Sequence, residues 1–203
     1  MDSPSDDRTA RARIRDEALR LFAERGADAV TMRDIAAAAG VSPALLVRHY
    51  GSKDGLIAAV DDHVVRTLEA VLTQVTERTA TVGLGPAAVP TMLDGLATHL
   101  PPDSPIPGYL SRLLTTGGAV GSAVFDRLYG ISRTALDAMV AAGVASPGED
   151  PAVRAAVLMV NDLAVLTLRT RIAEVLGVDP LSDIGMKRWA AEVFAIYQDG
   201  LRS

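Results

Sequence analysis

This 203-residue chain has few arrangements of side chains that could act together as a nucleophile with its base or as a set of metal ligands. The sequence contains no cysteine, which excludes disulfides, thiolate metal sites and cysteine catalysis. It has neither a glycine-rich phosphate loop nor a nucleophile elbow. The three histidines are His49, His63 and His99. The sequence therefore predicts no catalytic residue, no metal and no cofactor.

Two of these histidines have alternative interpretations. His63 follows two aspartates, but adjacent residues of a helix point to different faces, so we interpret it as part of a solvated polar face. His99 lies near the apolar side of a predicted helix and is interpreted as a core residue. The alternative is a small helical enzyme in which His99 works with Asp94 or Asp103.

The remaining histidine belongs to the most informative stretch, residues 31–53, which reads TMRDIAAAAGVSPALLVRHYGSK. Thr31, with Asp34 three residues later, forms a capping-box-like start for one helix, and Gly40 ends that helix. A second helix then begins with Ser42 at the cap and Pro43 at the first helical position. Two short helices joined by a tight turn predict a helix-turn-helix, whose second helix enters the DNA major groove.

The order of residues in this stretch resembles the DNA-binding region of the TetR family of transcriptional regulators. The resemblance covers roughly residues 8–70 and rests on Thr31, Ile35-Ala36, Ala39-Gly40-Val41-Ser42, Leu46, His49-Tyr50 and Ser52-Lys53. One position departs from the family pattern. Val47 stands where the family usually has a tyrosine that touches a DNA phosphate, and valine cannot donate a hydrogen bond. The resemblance implies DNA binding, and Val47 implies that this binding is somewhat weaker.

The resemblance also implies which residues contact DNA. They are Thr31, Arg33, Ser42, Pro43, Ala44, Leu45, Arg48, His49, Tyr50 and Lys53. Thr31 would present its hydroxyl and the helix N-terminal amides to a phosphate. The short side chains of residues 42–45 would face base edges, and Arg48 would make a bidentate contact with guanine or phosphate. Tyr50 either contacts the backbone or serves the core.

Charge is distributed unevenly along the chain, whose net charge is −5. Residues 1–53 hold nine Lys/Arg against eight Asp/Glu, whereas residues 54–203 hold eleven against seventeen. Arginines at positions 8, 11, 13 and 15 concentrate positive charge near the first helix, where it could neutralise phosphates. The alternative is a solvated helix face on which these arginines pair with Asp16 and Glu17.

Hydropathy indicates a soluble, cytoplasmic protein. The first 13 residues lack the apolar segment of a signal peptide. The most apolar run, residues 155–168, is too short for a membrane span and contains Asn161 and Asp162.

Hydrophobic periodicity predicts an all-α fold of about nine helices. An N-terminal three-helix DNA-binding domain is expected over residues 8–53, followed by a linking helix over 53–79 and a C-terminal helical bundle over 80–203. Residues 1 to about 9 are expected to be disordered. Further helices are predicted over 86–100, 109–114, 119–142 and 150–177, with a last helix after Pro180.

The resemblance implies a homodimer formed by the last two helices, although their apolar faces could instead form an internal core. It also implies a pocket for a small-molecule effector of unknown identity in the C-terminal domain. Candidate effector-binding residues, chosen by composition, are Met92, His99, Tyr109, Phe125, Tyr129, Met159, Asn161 and Asp162.

The expected function is a ligand-responsive transcriptional regulator, a repressor that a small molecule releases from its double-stranded DNA operator. The alternative is a helical dimer that binds a small molecule or protein and has lost DNA binding. Val47 and the negative net charge favour that alternative.

Overall fold

The computed structural model describes residues 4–82, 94–95, 98–101, 103–116 and 118–200. Within these ranges the chain is helical and contains no strand, which confirms the all-α prediction. The helices are α1 (Pro4–Arg25), α2 (Met32–Ala38), α3 (Pro43–Tyr50), α4 (Lys53–Val82), α5 (Ile106–Thr116), α6 (Gly118–Ala141), α7 (Pro151–Thr167), α8 (Arg169–Leu176) and α9 (Asp183–Gly200). Most of the helix predicted over 86–100 lies outside the described residues.

The first of two compact units comprises residues 1–64 and 105–117. Its core is built from one apolar face of each helix. The buried residues are Ile14, Ala18, Leu21 and Phe22 on α1, Ile35 and Ala36 on α2, Leu46 on α3, and Leu56, Val60 and Val64 on α4. Helix α5 packs against α1. The Tyr109 ring stacks on Phe22 with 6.4 Å between centroids, and Arg112 donates hydrogen bonds to the carbonyls of Ala23 and Glu24.

Helix α5 packs within the first unit, although the sequence expectation assigned everything after residue 80 to one C-terminal domain, and that domain division stays a prediction. Ile106, Tyr109 and Leu110 are buried in the first unit. The reason is a long-range contact with α1, and the spacing of apolar residues along α5 does not reveal which partner that helix chooses.

The second unit comprises residues 65–104 and 118–203. Its main contact is between α6 and α7, with Val124, Leu128 and Leu136 buried on α6 and Ala155, Met159 and Leu163 buried on α7. Between these helices the Ser132 hydroxyl donates a 2.9 Å hydrogen bond to the carbonyl of Ala155. From α9, Met186 and Ala190 are buried.

Two predicted helix boundaries were wrong. Helix α1 begins at Pro4, so residues 4–9 are helical where disorder was expected. The single helix predicted over 150–177 is broken at Leu168, and α7 and α8 are bent by 76°. Thr167 donates its hydroxyl back to the Leu163 carbonyl, a bond that bends helices, and Arg169 pairs with Asp179 at 2.6 Å. This ion pair holds the start of α8 against the loop that precedes α9.

Among the described residues, no single helix has both the length and the apolar character needed to cross a membrane. The bent pair α7–α8 reaches that length and composition only when its two helices are taken together.

Candidate nucleic-acid interface and internal cavity

Helix α2 begins as predicted, with a complete capping box. The Thr31 hydroxyl accepts a hydrogen bond from the Asp34 amide at 3.2 Å, and the Asp34 carboxylate accepts one from the Thr31 amide at 2.9 Å. The same carboxylate accepts the Thr31 hydroxyl proton at 2.6 Å, and these bonds lower the pKa of Asp34. The hydroxyl proposed to meet a phosphate is therefore already bonded within the cap.

The turn between the two short helices is set by Gly40 and Ser42. Gly40 has φ +61°, a left-handed conformation that glycine adopts cheaply. Ser42 then caps α3, where its side-chain oxygen accepts from the Leu45 amide at 3.2 Å and Pro43 occupies the first turn. Both predicted signals are present, and they fix where α3 starts.

Helix α3 has one buried side and one exposed side. Leu46 is fully buried, whereas Pro43, Ala44 and Arg48 are exposed. Val47 is also exposed, with 49% of its surface accessible. The exposed side is thus an apolar and small-residue surface with one guanidinium, suited to close approach to thymine methyl groups and to one bidentate contact.

Tyr50 is bonded inside the first unit. Its hydroxyl donates to the Arg11 carbonyl at 2.7 Å, and the Arg11 guanidinium lies 5.4 Å from the ring centroid. Burial raises the pKa of Tyr50. The hydroxyl therefore links α3 to α1, and a contact of Tyr50 with the DNA backbone stays a prediction.

The remaining candidates for DNA contact surround α3. Thr31, Arg33 and Ser42 are exposed, and Leu45, His49 and Lys53 are half-buried. The Lys53 ammonium lies 3.5 Å from the Asp28 carbonyl, which keeps this charge near the first turn of α4. The structure places these residues on and around the same two short helices.

The second unit contains a cavity of about 170 Å³. The lining residues are Leu100 and Leu181; Leu68, Val71 and Leu72 of α4; Leu128, Ile131 and Ser132 of α6; Met159, Asp162, Leu163, Val165 and Leu166 of α7; and Met186 and Trp189 of α9. Most of these side chains are apolar. Asp162 is the ionisable residue among the described lining residues.

Two of the eight candidate effector residues, Met159 and Asp162, line this cavity. Asn161 donates a hydrogen bond to Asp162. Tyr109 is buried in the first unit, Phe125 is 40% exposed, and the Tyr129 hydroxyl donates to the Ala152 carbonyl. The described lining residues therefore do not include Asn161, Tyr109, Phe125, Tyr129 or His99. Met92 lies outside the described ranges.

Sequence reasoning missed several lining residues. Leu68 and Leu72 of α4 and Met186 and Trp189 of α9 line the cavity, but none of the four was among the candidate effector residues. Their shared feature is that several apolar faces converge on one space. The signal available in the sequence was the chain's single tryptophan, which stands on one of those faces.

Two family models match the chain. Residues 14–60 match the bacterial regulatory proteins of the tetR family, and residues 103–201 match the tetracyclin repressor-like C-terminal domain. The transcriptional regulatory protein RaaS of Mycobacterium tuberculosis is 33% identical over 157 residues, which cover 77% of this chain and 69% of RaaS. The chain belongs to the TetR family of transcriptional regulators.

Other proteins are similar to this chain over a shorter stretch or in fold alone. The transcriptional repressor Rv3405c of M. tuberculosis is 48% identical over 61 residues, 30% of this chain and 32% of that protein. SmeT, the repressor of the Stenotrophomonas maltophilia efflux pump SmeDEF, aligns with a TM-score of 0.60 at 24% identity, covering 92% of this chain and 89% of SmeT. The SmeT–triclosan complex aligns with a TM-score of 0.61 at 23% identity, covering 93% and 91%.

A charge test of the interface uses Lys53, one of the two lysines in this TetR-family chain. Lys53→Ala should weaken binding to all DNA sequences alike and lower the slope of log affinity against log salt by about one. The matched control is Lys187→Ala, which removes an exposed lysine from α9. Fluorescence anisotropy across a salt series measures both slopes. An unchanged slope for Lys53→Ala would exclude a phosphate contact by this residue.

Proposed function

We propose that this regulator is a cytoplasmic homodimeric repressor, released from its operator when a small molecule occupies the cavity. The observation that carries the proposal is the continuity of α4. Leu56, Val60 and Val64 of this helix lie in the core that holds the helix-turn-helix. Leu68 and Leu72 of the same helix line the cavity.

Effector binding acts on DNA affinity through a population shift. The protein has one arrangement of α4 that binds the operator and another that does not. A ligand stabilises the arrangement whose cavity fits it better, and the difference between its affinities for the two arrangements drives the change. In a dimer, two recognition helices must meet major grooves about 34–36 Å apart. A state with another spacing of these helices releases the operator.

The proposed dimer uses an apolar row on α7. Val153, Val157 and Val160 lie at i, i+4 and i+7, so they share one face, and they are 56%, 48% and 53% exposed. An exposed apolar row of this kind is suited to burial against a partner. A second copy of the chain is the proposed occupant, because a helix-turn-helix regulator reads two half-sites through a two-fold dimer.

The experiment is anisotropy of the purified protein on DNA flanking its own gene, with random DNA as the control, across a salt series. Specific binding should exceed random binding by about a thousandfold. Candidate small molecules are then added to the specific complex, and an effector should lower the anisotropy. An operator complex that no cavity-binding molecule weakens would contradict ligand release.

A second candidate function is a dimeric binding module that has lost DNA binding. Val47 supports it, because an exposed valine on α3 replaces a side chain that binds phosphate in the family. This candidate predicts weak, salt-sensitive binding that is equal on both DNAs. Unbiased selection of binding sites from random DNA separates the two functions, since only a specific regulator enriches a common sequence.

A further inference from the structure

Asp162 is a carboxylate in the wall of an otherwise apolar cavity. It lies on α7 between Asn161 and Leu163, and it lines the cavity together with Met159 and Leu163. Its side chain is exposed, yet burial raises its pKa to about 6. The exposure and the raised pKa are compatible because Asp162 lines the cavity: its accessible surface faces the cavity, and protein atoms surround the rest of the side chain.

The described wall supplies few groups that could neutralise or solvate this carboxylate. It contains no lysine, arginine or histidine. The Ser132 hydroxyl is already donated to the Ala155 carbonyl at 2.9 Å. Asn161 donates one hydrogen bond to Asp162, which only partly offsets the effect of burial on the carboxyl. A charged carboxylate therefore faces a space bounded mainly by hydrocarbon.

The contents of the cavity decide how costly that charge is. A neutral apolar ligand would displace water from the carboxylate and leave it without solvation, which is unfavourable for an ion in a low-dielectric site. An anion would add repulsion between like charges. An organic cation would replace the lost water with an ion pair and would bury its apolar body against the leucines, Met159 and Trp189.

Cavity size limits the body of such a ligand. The volume is about 170 Å³. An apolar protein cavity of about 150 Å³ holds a benzene molecule. A single ring with a short arm, or an aliphatic chain of similar volume, therefore fits without expansion of the wall.

We propose that this cavity selects a small organic monocation, an amine or quaternary ammonium on an apolar body about one ring in size, whose charge pairs with Asp162. The inference that the effector is a cation rests on the proposed function. The inference that the cavity prefers a cation rests only on its lining residues and on Asp162.

The test uses three small probes with one carbon skeleton and different charges: benzylamine, benzyl alcohol and benzoate. Binding is followed by the fluorescence of Trp189, the single tryptophan in the chain and a residue of the cavity wall. At pH 7.5 the ammonium should bind at least about tenfold more tightly than the alcohol, and the carboxylate should bind most weakly. An alcohol that binds as tightly as the ammonium overturns the proposal without any variant being made.

Asp162→Asn tests the residue assignment. It removes the charge and keeps the shape of the side chain, so the preference for the ammonium over the alcohol should disappear while the alcohol still binds. The matched control is Asp126→Asn, an exposed aspartate of α6 that does not line the cavity, and it should keep the wild-type preference. A preference that survives Asp162→Asn assigns the selectivity to another group and overturns the proposal.

Acid provides a second readout on the wild-type protein. Below pH 6 the Asp162 carboxyl becomes neutral, so ammonium affinity should fall by up to about tenfold per pH unit. Alcohol affinity should not fall, because protonation removes the cost of covering a charged carboxylate. The described lining residues from α4, α6 and α9 have no ionisable side chains, so among them and Asp162 only Asp162 can change its charge between pH 7 and 5. The nearby sequence position His99 is checked with His99→Gln, which should retain the pH dependence. An ammonium affinity that is flat between pH 7 and 5 overturns the assignment.

The operator complex separates this inference from the proposed function. Ammonium selectivity without DNA release would support the cation site and contradict ligand-driven release. DNA release by the alcohol as readily as by the ammonium would support release and overturn the cation site.

Discussion

Val157→Glu should convert the protein into monomers and remove most of its operator affinity. Val157 lies in the middle of the apolar row on α7 with 48% of its surface exposed. In a two-fold dimer the same substitution occurs on both partners, so two carboxylates are buried in one interface. An unpaired buried charge costs about 3–5 kcal/mol, and a tenfold change in affinity corresponds to about 1.4 kcal/mol. The dimer dissociation constant should therefore rise by at least about a thousandfold.

The DNA consequence follows from the loss of the second recognition helix. A monomer contacts one half-site only, so affinity for the full operator should fall by more than about a hundredfold, while binding to random DNA changes less. Sedimentation velocity measures the oligomeric state, and anisotropy measures operator binding. Because Val157 is half-exposed, the monomer should keep its helical circular dichroism.

The matched control for this prediction is Val120→Glu. Val120 is 48% exposed, as Val157 is, and it lies on α6, outside the last two helices predicted to form the dimer, so the same change of side chain there should leave the dimer intact. A Val157→Glu protein that remains dimeric at micromolar concentration would place the dimer interface elsewhere. If both variants dissociate, the cause is added negative charge and not the α7 row.

Local signals carried most of what the sequence predicted about the helix-turn-helix. The Thr31–Asp34 box, the left-handed Gly40 and the Ser42–Pro43 start all depend on residues within one turn of each other. Such signals are readable without tertiary structure. The hydrogen bond of Tyr50 could not be predicted in this way, because its hydroxyl bonds to a carbonyl 39 positions earlier in the chain.

Long-range packing determined what the sequence left unpredicted. Helix α5 has an apolar face, but its position against α1 depends on contacts with residues more than 80 positions away. The bend at Leu168 similarly involves the Arg169–Asp179 pair, which no helical period encodes. For the cavity, Met159 and Asp162 were among the candidates by residue type alone, and only their convergence with α4, α6 and α9 distinguishes them from the six others.

Tyr109→Phe should lower the free energy of unfolding by about 2–3 kcal/mol, because it removes a buried hydrogen bond to a carboxylate. The Tyr109 hydroxyl donates to Asp61 at 2.6 Å, and the two residues are only 4% and 8% exposed. Phenylalanine keeps the stacking on Phe22, so the loss isolates the hydroxyl. For a chain of this length the melting temperature should fall by roughly 4–12 °C. Thermal and urea unfolding followed by circular dichroism measure both quantities.

The comparison variant is Tyr129→Phe. Its hydroxyl donates a longer bond of 3.3 Å to the Ala152 carbonyl from a half-buried side chain, so the loss should stay below about 1 kcal/mol. Equal losses of unfolding free energy in the two variants would show that the hydrogen bond from Tyr109 to the Asp61 carboxylate is no stronger than an ordinary one. The bond to Asp61 would then not explain why position 109 is a tyrosine.

Alkaline pH gives the same pair a second, independent signature. Burial and the neighbouring Asp61 carboxylate raise the pKa of Tyr109 well above its usual value. The unfolded chain then loses the phenolic proton near pH 10 while the folded chain retains it, so the folded state binds more protons and stability falls as the pH rises further. Phenylalanine has no proton to lose. The stability difference between wild type and Tyr109→Phe should therefore narrow above pH 10, and a difference that stays constant up to pH 11 would mean that Tyr109 ionises in the folded protein as readily as in the unfolded chain.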